Sequence, residues 1–337
     1  MPQYFNWPWI IDDRDYNCSS RTVSEWLQRG MVNEIQGIYF GVTGSAFIAL
    51  YSISLMAMYK SNLLQVPCFR LMFFNGIVDI LNLIAGSLIP IYFHFRGTVF
   101  CSDPVLTYLA GQLGLSFWIG ASFNCVVLAF NRVVEMMPLT HGLRFLFRGN
   151  FVFLWMFLSI FYMVTRMFVS RPTVFNSAVA SYIFAPLISD DISWEMSHYN
   201  SPLFLVHNLS IVVILPTVYL ILCVYVIKEK LSSCSRLEKA QYALFLQVFC
   251  ICASTTTAAL LYVYMNFVEA PRYLAIAGNV VWQMSHGIHG LVYILMNRQL
   301  RREIRSLFLY TKVRLINPSS IVKNSSNWDT LTAVDRR

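Results

Sequence analysis

The stretch from Pro104 to Phe130 contains no charged residue, and it limits the folds open to this chain more than any other feature. It exceeds the roughly 20 apolar residues that a helix needs to cross a bilayer, so we predict a slightly tilted membrane-spanning helix. Arg132 and Glu135 follow where such a helix would leave the hydrocarbon. A charge there is costly unless it is paired or hydrated, which makes Arg132 a candidate functional residue. The simpler alternative is that Arg132 only anchors the helix end among the lipid headgroups.

The composition places the whole chain in a membrane. Of 337 residues, 57% are hydrophobic and 12% are charged, whereas soluble domains have about 25% charged residues. The net charge of +8 would suggest nucleic acid for a soluble chain, but here we expect membrane lipid and no nucleic acid. The eight cysteines form no CxxC pair, and no catalytic arrangement is apparent. We therefore expect no metal site, no cofactor and no enzymatic activity.

Seven apolar runs predict seven membrane-spanning helices. They cover about Ile35–Tyr59, Leu71–Phe93, Pro104–Arg132, Phe151–Phe168, Leu203–Ile227, Tyr242–Phe267 and Tyr273–Met296. No repeat with a period of roughly 20 to 50 residues is visible, which argues against a repeat array. The predicted fold class is an all-α membrane protein, a bundle of seven transmembrane helices in one domain.

The basic residues predict how the bundle is oriented. Most of the 25 lysines and arginines follow the first, third, fifth and seventh runs. Cytoplasmic segments are enriched in these residues, so we predict an extracellular N-terminus and a cytoplasmic C-terminus. The predicted divisions are an extracellular tail (1–33), the seven-helix domain (34–297), an amphipathic helix on the inner leaflet (298–310) and a disordered cytoplasmic tail (311–337).

The N-terminal tail carries one candidate modification site. Asn17 begins an Asn-Cys-Ser tripeptide, which fits the N-glycosylation acceptor pattern. Residues 1–33 lack the apolar core and cleavage site of a signal peptide, so none is expected.

The second apolar run contains an acid. Asn75, Asp79 and Asn82 follow at i, i+4 and i+7, so they lie on one helix face. An acid in mid-membrane should face the bundle interior and bind partners there. A structural role for these residues stays open beside a functional one.

These features resemble those of G-protein-coupled receptors, which have seven helices, an outside N-terminus and an Arg at the inner end of helix 3. The resemblance extends to Asp79 in helix 2, Trp155 in helix 4, Pro216 in helix 5 and Tyr293 in helix 7. It implies a rhodopsin-like architecture that ends in a short amphipathic helix.

The departures from the rhodopsin-like pattern match one branch of receptors. Residues 131–133 are Asn-Arg-Val in place of Asp-Arg-Tyr, and residues 289–293 are His-Gly-Leu-Val-Tyr in place of Asn-Pro-x-x-Tyr. Residues 16–19 (Tyr-Asn-Cys-Ser) and 100–104 (Phe-Cys-Ser-Asp-Pro) resemble the nematode serpentine chemoreceptors of class T. The resemblance implies a plasma-membrane receptor of sensory neurons that binds an extracellular chemical cue and activates a heterotrimeric G protein.

The resemblance also implies roles for particular residues. It assigns coupling to the G protein to Asn131, Arg132 and Glu135, with Glu135 as a candidate partner of Arg132. Because Asn131 is neutral, the interaction that keeps Arg132 in the inactive position is expected to be weaker than the Asp–Arg pair of Asp-Arg-Tyr receptors. Ala121 offers no oxygen at the position of a helix 3 hydroxyl, which puts the family's sodium site in doubt. The implied internal polar network, which rearranges between states, consists of Asn75, Asp79, Asn82, Asn124, His289 and Tyr293.

The ligand is less well defined by the sequence. Trp118, Asn279 and Gln283 could line an apolar pocket with a few polar anchors, although helix packing is an equal alternative for each of them. Gly114 occupies the position of the amine-binding Asp of monoamine receptors, so a salt-bridged amine is not expected. His286 lies three residues before His289, but no third metal ligand is evident.

A disulfide follows from the implied topology. Rhodopsin-like receptors commonly bond a cysteine above helix 3 to the second outer loop, but here that loop (170–202) contains no cysteine. Only Cys18 and Cys101 lie on the predicted outer side, so we predict that they pair. Two free thiols or an intermolecular bridge are the alternatives.

A ligand-gated channel subunit or a transporter is the alternative function. Transporters often contain inverted repeats and midplane charges on broken helices, whereas this chain shows no repeat and one clear intramembrane acid, Asp79. Seven-helix channel subunits of the insect type have the opposite orientation, so the side on which the N-terminus lies distinguishes them.

Overall fold

The computed structural model describes residue 5 and residues 7–231, 239–268 and 271–316. For residues 230–231, 239–240 and 308–316 it describes the backbone alone. The α-helices of these residues are α1 (Val23–Gln28), α2 (Glu34–Lys60), α3 (Pro67–Leu83), α4 (Ile89–Arg96), α5 (Pro104–Met136), α6 (Phe151–Val169), α7 (Ile192–His198), α8 (Pro202–Leu231), α9 (Lys239–Met265), α10 (Arg272–Met296) and α11 (Arg298–Ile316). Two short strands, β1 (Val174–Asn176) and β2 (Ser181–Ile183), pair antiparallel.

Eight of these helices form the seven spans of the predicted bundle, because α3 and α4 together make one span. We number the spans 1 to 7: α2, α3 with α4, α5, α6, α8, α9 and α10. A π-helical turn, Ile84–Leu88, joins α3 to α4 within span 2. Six spans in the described residues are long and apolar enough to cross a membrane. Span 7 is less apolar because its buried face carries the polar residues Asn279, Gln283, Ser285, His286 and His289.

The side of each helix that is buried follows from its place in the bundle. Span 3 is central: 72% of its most apolar stretch is buried inside the protein, whereas the corresponding share for span 4 is 22%. Span 4 exposes Phe153, Phe157 and Phe161, one helical turn apart, on its outer face. Such a face suits contact with lipid, because apolar side chains need no hydrogen-bond partners in the hydrocarbon.

The predicted disulfide is present. Cys18 and Cys101 are bonded, with 5.4 Å between their Cα atoms, and we call this side of the bundle the disulfide end. Beside the bond lies a small second core, whose main members are Tyr16, Trp26, Phe100, Tyr108 and Tyr199. The disulfide therefore fixes the N-terminal segment to the loop before α5.

Polar contacts hold the same segment to the loop between α6 and α8. Asp15 accepts from Arg171 at 2.9 Å, and its carbonyl accepts from the Tyr199 hydroxyl. Within that loop, the fully buried Glu195 accepts from the backbone N–H of Leu187 at 2.6 Å and so fixes the surface on which the segment packs. The described part of the predicted tail is thus a packed cover on the bundle.

The C-terminal helix differs from its prediction. Helix α11 ends at Ile316, six residues beyond the predicted end, and residues 317–337 of the predicted disordered tail lie outside the described residues. Leu300 is fully buried, and Ile304 and Leu307 pack against the main core. The apolar face of α11 therefore contacts the bundle, whereas the sequence predicted that it would contact the lipid of the inner leaflet.

Candidate functional site

Asp79 in α3 is fully buried and accepts four hydrogen bonds. The donors are the Tyr51 hydroxyl at 2.5 Å, Asn75 Nδ2 at 2.8 Å, His286 Nδ1 at 2.6 Å and His289 Nδ1 at 3.0 Å. Both imidazoles donate, since an ionised carboxylate can only accept. The donors come from spans 1, 2 and 7, so Asp79 ties three helices together.

His289 extends this polar network to span 6. Its Nε2 atom lies 3.0 Å from the Ser254 Oγ atom of α9. Tyr293, one turn further along α10, packs edge-on against Tyr51 with 5.7 Å between ring centroids. The Tyr293 hydroxyl donates to the Met72 carbonyl at 3.5 Å. Four spans therefore meet around one carboxylate.

The structure brings together the predicted network members Asn75, Asp79, His289 and Tyr293. Neither Asn82 nor Asn124 is hydrogen-bonded to them, and both amide atoms of Asn82 are buried without a partner in the described part of the chain. The sequence does not single out Tyr51, which is one of 18 tyrosines. His286 carries one signal in the sequence, its spacing to His289, but that spacing suggests a metal ligand and not a partner of Asp79.

The residues around Asp79 do not fit a sodium site. Four donors already surround the carboxylate, three on Oδ2 and one on Oδ1, so a cation would have to compete with hydrogen-bond donors of the protein. Ala121 packs with Val78 and Met163 and offers no ligand.

Arg132 lies inside the bundle at its other end, which we call the Arg132 end. It is 4% exposed, and its Nη2 atom donates to Asn131 Oδ1 at 2.5 Å. Arg132 does not end the helix, as was expected, because α5 continues for one further turn to Met136. The Arg132 Nε atom is buried without a hydrogen-bond partner among the described residues.

Glu135 is not the partner of Arg132 in this structure. Its carboxylate lies 3.7 Å from the Nε atom of Arg144. Arg144 belongs to the 3₁₀ helix Pro138–Phe147, which folds back along α5 and also donates to the Glu135 carbonyl at 3.2 Å. Both side chains are about one third exposed (29% and 32%), so this pair contributes little, about 0–1 kcal/mol. The prediction failed because the partner comes from a loop.

The three candidate pocket residues are buried and bonded to the protein. Trp118 Nε1 donates to Asn208 Oδ1 at 3.0 Å. Asn279 Nδ2 donates to the Ala180 carbonyl at 3.0 Å, and Gln283 Nε2 lies 2.9 Å from the Ser87 hydroxyl. Trp118 and Asn279 therefore contact different elements, span 5 and the β-hairpin turn. The structure does not bring the three together around one polar group.

The β-hairpin closes the disulfide end above the polar network. Tyr182 of β2 donates to the Ala85 carbonyl at 2.9 Å, and burial raises the pKa of Tyr182 far above its ordinary value, so the hydroxyl stays protonated. The hairpin approaches α5 so closely that a Cβ at Gly111 would lie 1.7 Å from the Thr173 carbonyl oxygen. The Tyr182 ring packs edge-on against Trp282, with 5.9 Å between centroids. No sequence pattern indicates strands this short.

A continuous path joins the hairpin to the polar network. Trp282 lies 6.4 Å from His286, centroid to centroid, and His286 lies 2.6 Å from Asp79. Trp118 packs edge-on against the same imidazole at 5.7 Å. A displaced hairpin would therefore change the packing of a group that is bonded to Asp79.

The seven-helix bundle has a covered end, a buried carboxylate that joins its helices and a buried Arg in span 3, and its fold is that of seven-transmembrane receptors. Squid rhodopsin has the same fold: it superposes with a TM-score of 0.58 at 13% identity, over 92% of this chain and 91% of that chain.

The chain belongs to the family described as "Serpentine type 7TM GPCR chemoreceptor Srt", whose family model matches residues 3–317. Serpentine receptor class T-55 of Caenorhabditis elegans is 26% identical over 299 residues, which cover 87% of this chain and 80% of that relative. The predicted membership in class T is confirmed, and the chain is a multi-pass membrane receptor.

Proposed function

We propose that this receptor binds an extracellular chemical cue at the disulfide end and activates a heterotrimeric G protein at the Arg132 end. The disulfide end would face outward and the Arg132 end the cytoplasm, in the plasma membrane of a sensory neuron. The basic residues of the loops support this orientation. A disulfide at the outer side also agrees with the oxidising compartment.

The observation that carries the proposal is the state of Arg132. No carboxylate of the described residues lies within ion-pair distance of it, and its hydrogen bond goes to the neutral Asn131. A buried guanidinium held so weakly is costly inside a membrane bundle. A second state, in which Arg132 contacts a partner protein, is therefore close in free energy, and a cue can select it.

The path from Tyr182 through Trp282 and His286 to Asp79 would carry the signal between the two ends. Trp118 lies beside this path, and Asn279 holds the hairpin turn at its start. Gln283 directly follows Trp282 on α10, and its side chain is hydrogen-bonded to Thr43 of span 1 and Ser87 of span 2. These residues would contact the cue directly or through the hairpin.

The test is ligand-independent activation, since the cue is unidentified. The full chain is expressed at graded surface levels with a panel of Gα nucleotide-exchange sensors. We expect at least one sensor to respond in proportion to the receptor, and Arg132→Ala to remove the response at equal surface level. Arg96→Gln, which removes an exposed cation at the other end, is the matched control. A response that survives Arg132→Ala contradicts the proposal.

A simpler experiment tests the orientation. Asn17 is exposed, and its side chain accepts from the nearby Ser19 N–H at 2.8 Å in a local turn. We expect the chain from cells to shift in mass on glycosidase treatment and Asn17→Gln to abolish the shift. A tag at the N-terminus that antibody reaches only after permeabilisation would instead support the opposite orientation, that of insect-type channel subunits.

A further inference from the structure

A turn near the start of the chain places two indole rings side by side. Residues 7–10 are Trp-Pro-Trp-Ile, and the Ile10 N–H donates to the Trp7 carbonyl at 3.0 Å. Pro8 favours the second position of such a turn, because its ring fixes φ near the required value. The two indole centroids are 5.4 Å apart. We call residues 5 and 7–10 the aromatic segment.

The aromatic segment packs on one residue of span 4. Phe168, the penultimate residue of α6, contacts three of its rings. The centroid distances to Phe168 are 6.3 Å for Phe5, 5.8 Å for Trp7 and 6.3 Å for Trp9. Phe5 stacks on the Phe168 ring, and both indoles meet it edge-on. These contacts fix the aromatic segment at the end of span 4.

The same side chains are largely exposed on their outer side. The exposed fraction is 67% for Phe5, 50% for Trp7, 64% for Trp9 and 48% for Ile10. By contrast Tyr16, a few residues further along the chain, is buried in the second core. A contiguous exposed apolar patch marks a surface that binds a partner or a membrane. The aromatic segment is such a patch.

This patch continues the lipid-facing surface of the bundle. Phe168 lies about two turns beyond Phe161 on α6, so it extends the outer face that carries Phe157 and Phe161. Helix α6 has 19 residues and is therefore about 28 Å long, close to the roughly 30 Å of the hydrocarbon core. A helix of this length places Phe168 at the edge of the hydrocarbon. Tryptophan is enriched at this depth in membrane proteins.

The residues after the aromatic segment are charged. Residues 12–15 are Asp-Asp-Arg-Asp, and Asp12, Asp13 and Arg14 are exposed. Such a run suits water, so the chain passes from an apolar to an aqueous environment within a few residues. Its acidic balance offers no attraction to anionic headgroups, which bind basic segments. Contact with a membrane would therefore depend on the aromatic rings and not on charge.

We propose that the aromatic segment lies in the bilayer interface at the disulfide end and binds the zwitterionic lipid there. An indole suits this position, because its ring is apolar and its N–H group can remain among the headgroups. Ile11, the next residue, packs against the second core, and Cys18 is bonded to Cys101. Lipid and the disulfide would thus hold the two ends of the same cover. The inference goes beyond the proposed function, since it requires neither a cue nor a G protein.

The test measures tryptophan fluorescence of the purified full chain in phosphatidylcholine nanodiscs. One quencher is phosphatidylcholine brominated near the glycerol end of an acyl chain, and the other is aqueous iodide. The chain has eight tryptophans, so the signal of interest is the emission that Trp7→Phe/Trp9→Phe removes from the parent. This variant keeps the aromatic rings and so should keep the fold. We expect brominated lipid to quench most of that emission and iodide to quench little of it.

A matched control comes from the same end of the bundle. Trp194 of α7 is also 50% exposed, but it stacks on His198 in the loop between α6 and α8. The emission that Trp194→Phe removes should be quenched by iodide and not by brominated lipid. The proposal is overturned if Trp7 and Trp9 behave like Trp194. It is equally overturned if neither quencher reaches them, because protein, such as a second copy of this chain, would then cover the patch.

A second pair of variants tests the contact with span 4. Phe168→Leu removes the ring on which the aromatic segment packs, so iodide should then quench Trp7 and Trp9 more strongly. Phe157→Leu, about three turns further into the bilayer on the same face, should not change their quenching. Equal iodide quenching in these two variants would contradict the role of Phe168. Loss of G-protein activation with intact lipid quenching would remove the proposed function and leave this inference standing.

Discussion

The Nδ1 atom of His286 lies 2.6 Å from the Oδ1 atom of Asp79, across 207 residues of sequence. This contact places an imidazole between the ring of Trp282 above it and a buried carboxylate below it. His289 holds the other oxygen and reaches Ser254 of span 6. A change in the packing of Trp282 would thus alter contacts of groups on four spans. Such coupling between helices is what the proposed receptor switch requires.

Removing the carboxylate should therefore be more damaging than removing any one donor. Asp79→Ala leaves four buried donors without their acceptor, and breaking a buried charged pair costs about 3–5 kcal/mol. We expect a markedly lower melting temperature for the purified receptor. Asn82→Ala, three residues away, is the control and should cost much less, because the Asn82 side-chain amide has no hydrogen-bond partner among the described residues. Equal losses in the two variants would show that Asp79 does not organise the bundle.

The sequence predicts Asp79 and Arg132 as special because charges are rare within apolar runs. It predicts the seven spans for the same reason, although span 7 is only marginally apolar. The partners of these charges were harder to predict. Tyr51 lies in an apolar run that also contains Tyr39 and Tyr59, and only the packing of span 1 against spans 2 and 7 distinguishes it.

The partner of Glu135 shows the same limit. Spacing along a helix favours Arg132, but tertiary structure brings Arg144 from the following loop. The hairpin is a stronger case, because strands of three residues are determined by contacts with Asn279, Ala85 and Gly111, not by local propensity.

The contact between Arg132 and Asn131 predicts the effect of a carboxylate at that position. Asn131→Asp would replace a neutral acceptor by a charged one, which makes a hydrogen bond roughly twice as strong. An added stabilisation of about 1 kcal/mol would lower the active fraction roughly fivefold. We expect ligand-independent exchange in cells to fall by this order. Glu135→Gln should leave it nearly unchanged, because Glu135 pairs with Arg144. A larger effect of Glu135→Gln would contradict the observed pairing.

Two variants of α11 can show whether this helix is held by the bundle or by lipid. Leu300 is fully buried, whereas Leu307 is only partly buried, so Leu300→Ser should cost about 2–5 kcal/mol and Leu307→Ser clearly less. Thermal unfolding in nanodiscs measures both. If α11 were held by lipid alone, the two variants would lose similar amounts and the loss would depend on anionic lipid.

The contribution of the disulfide to stability can be tested by comparing variants that lack one or both of its cysteines. The bond spans 83 residues and should contribute about 4 kcal/mol in the chain-entropy model. Cys18→Ser, Cys101→Ser and the double variant should lose the same stability, because each removes the same cross-link. Cys250→Ser, a free cysteine in α9, is the control and should lose little. Without the bond, the N-terminal segment is held by noncovalent contacts such as those of Asp15 with Arg171 and Tyr199. The cover should therefore loosen at the end that is proposed to bind the cue. Mass spectrometry of a non-reduced digest should yield the linked pair, and additive losses in the double variant would show that the two cysteines act separately.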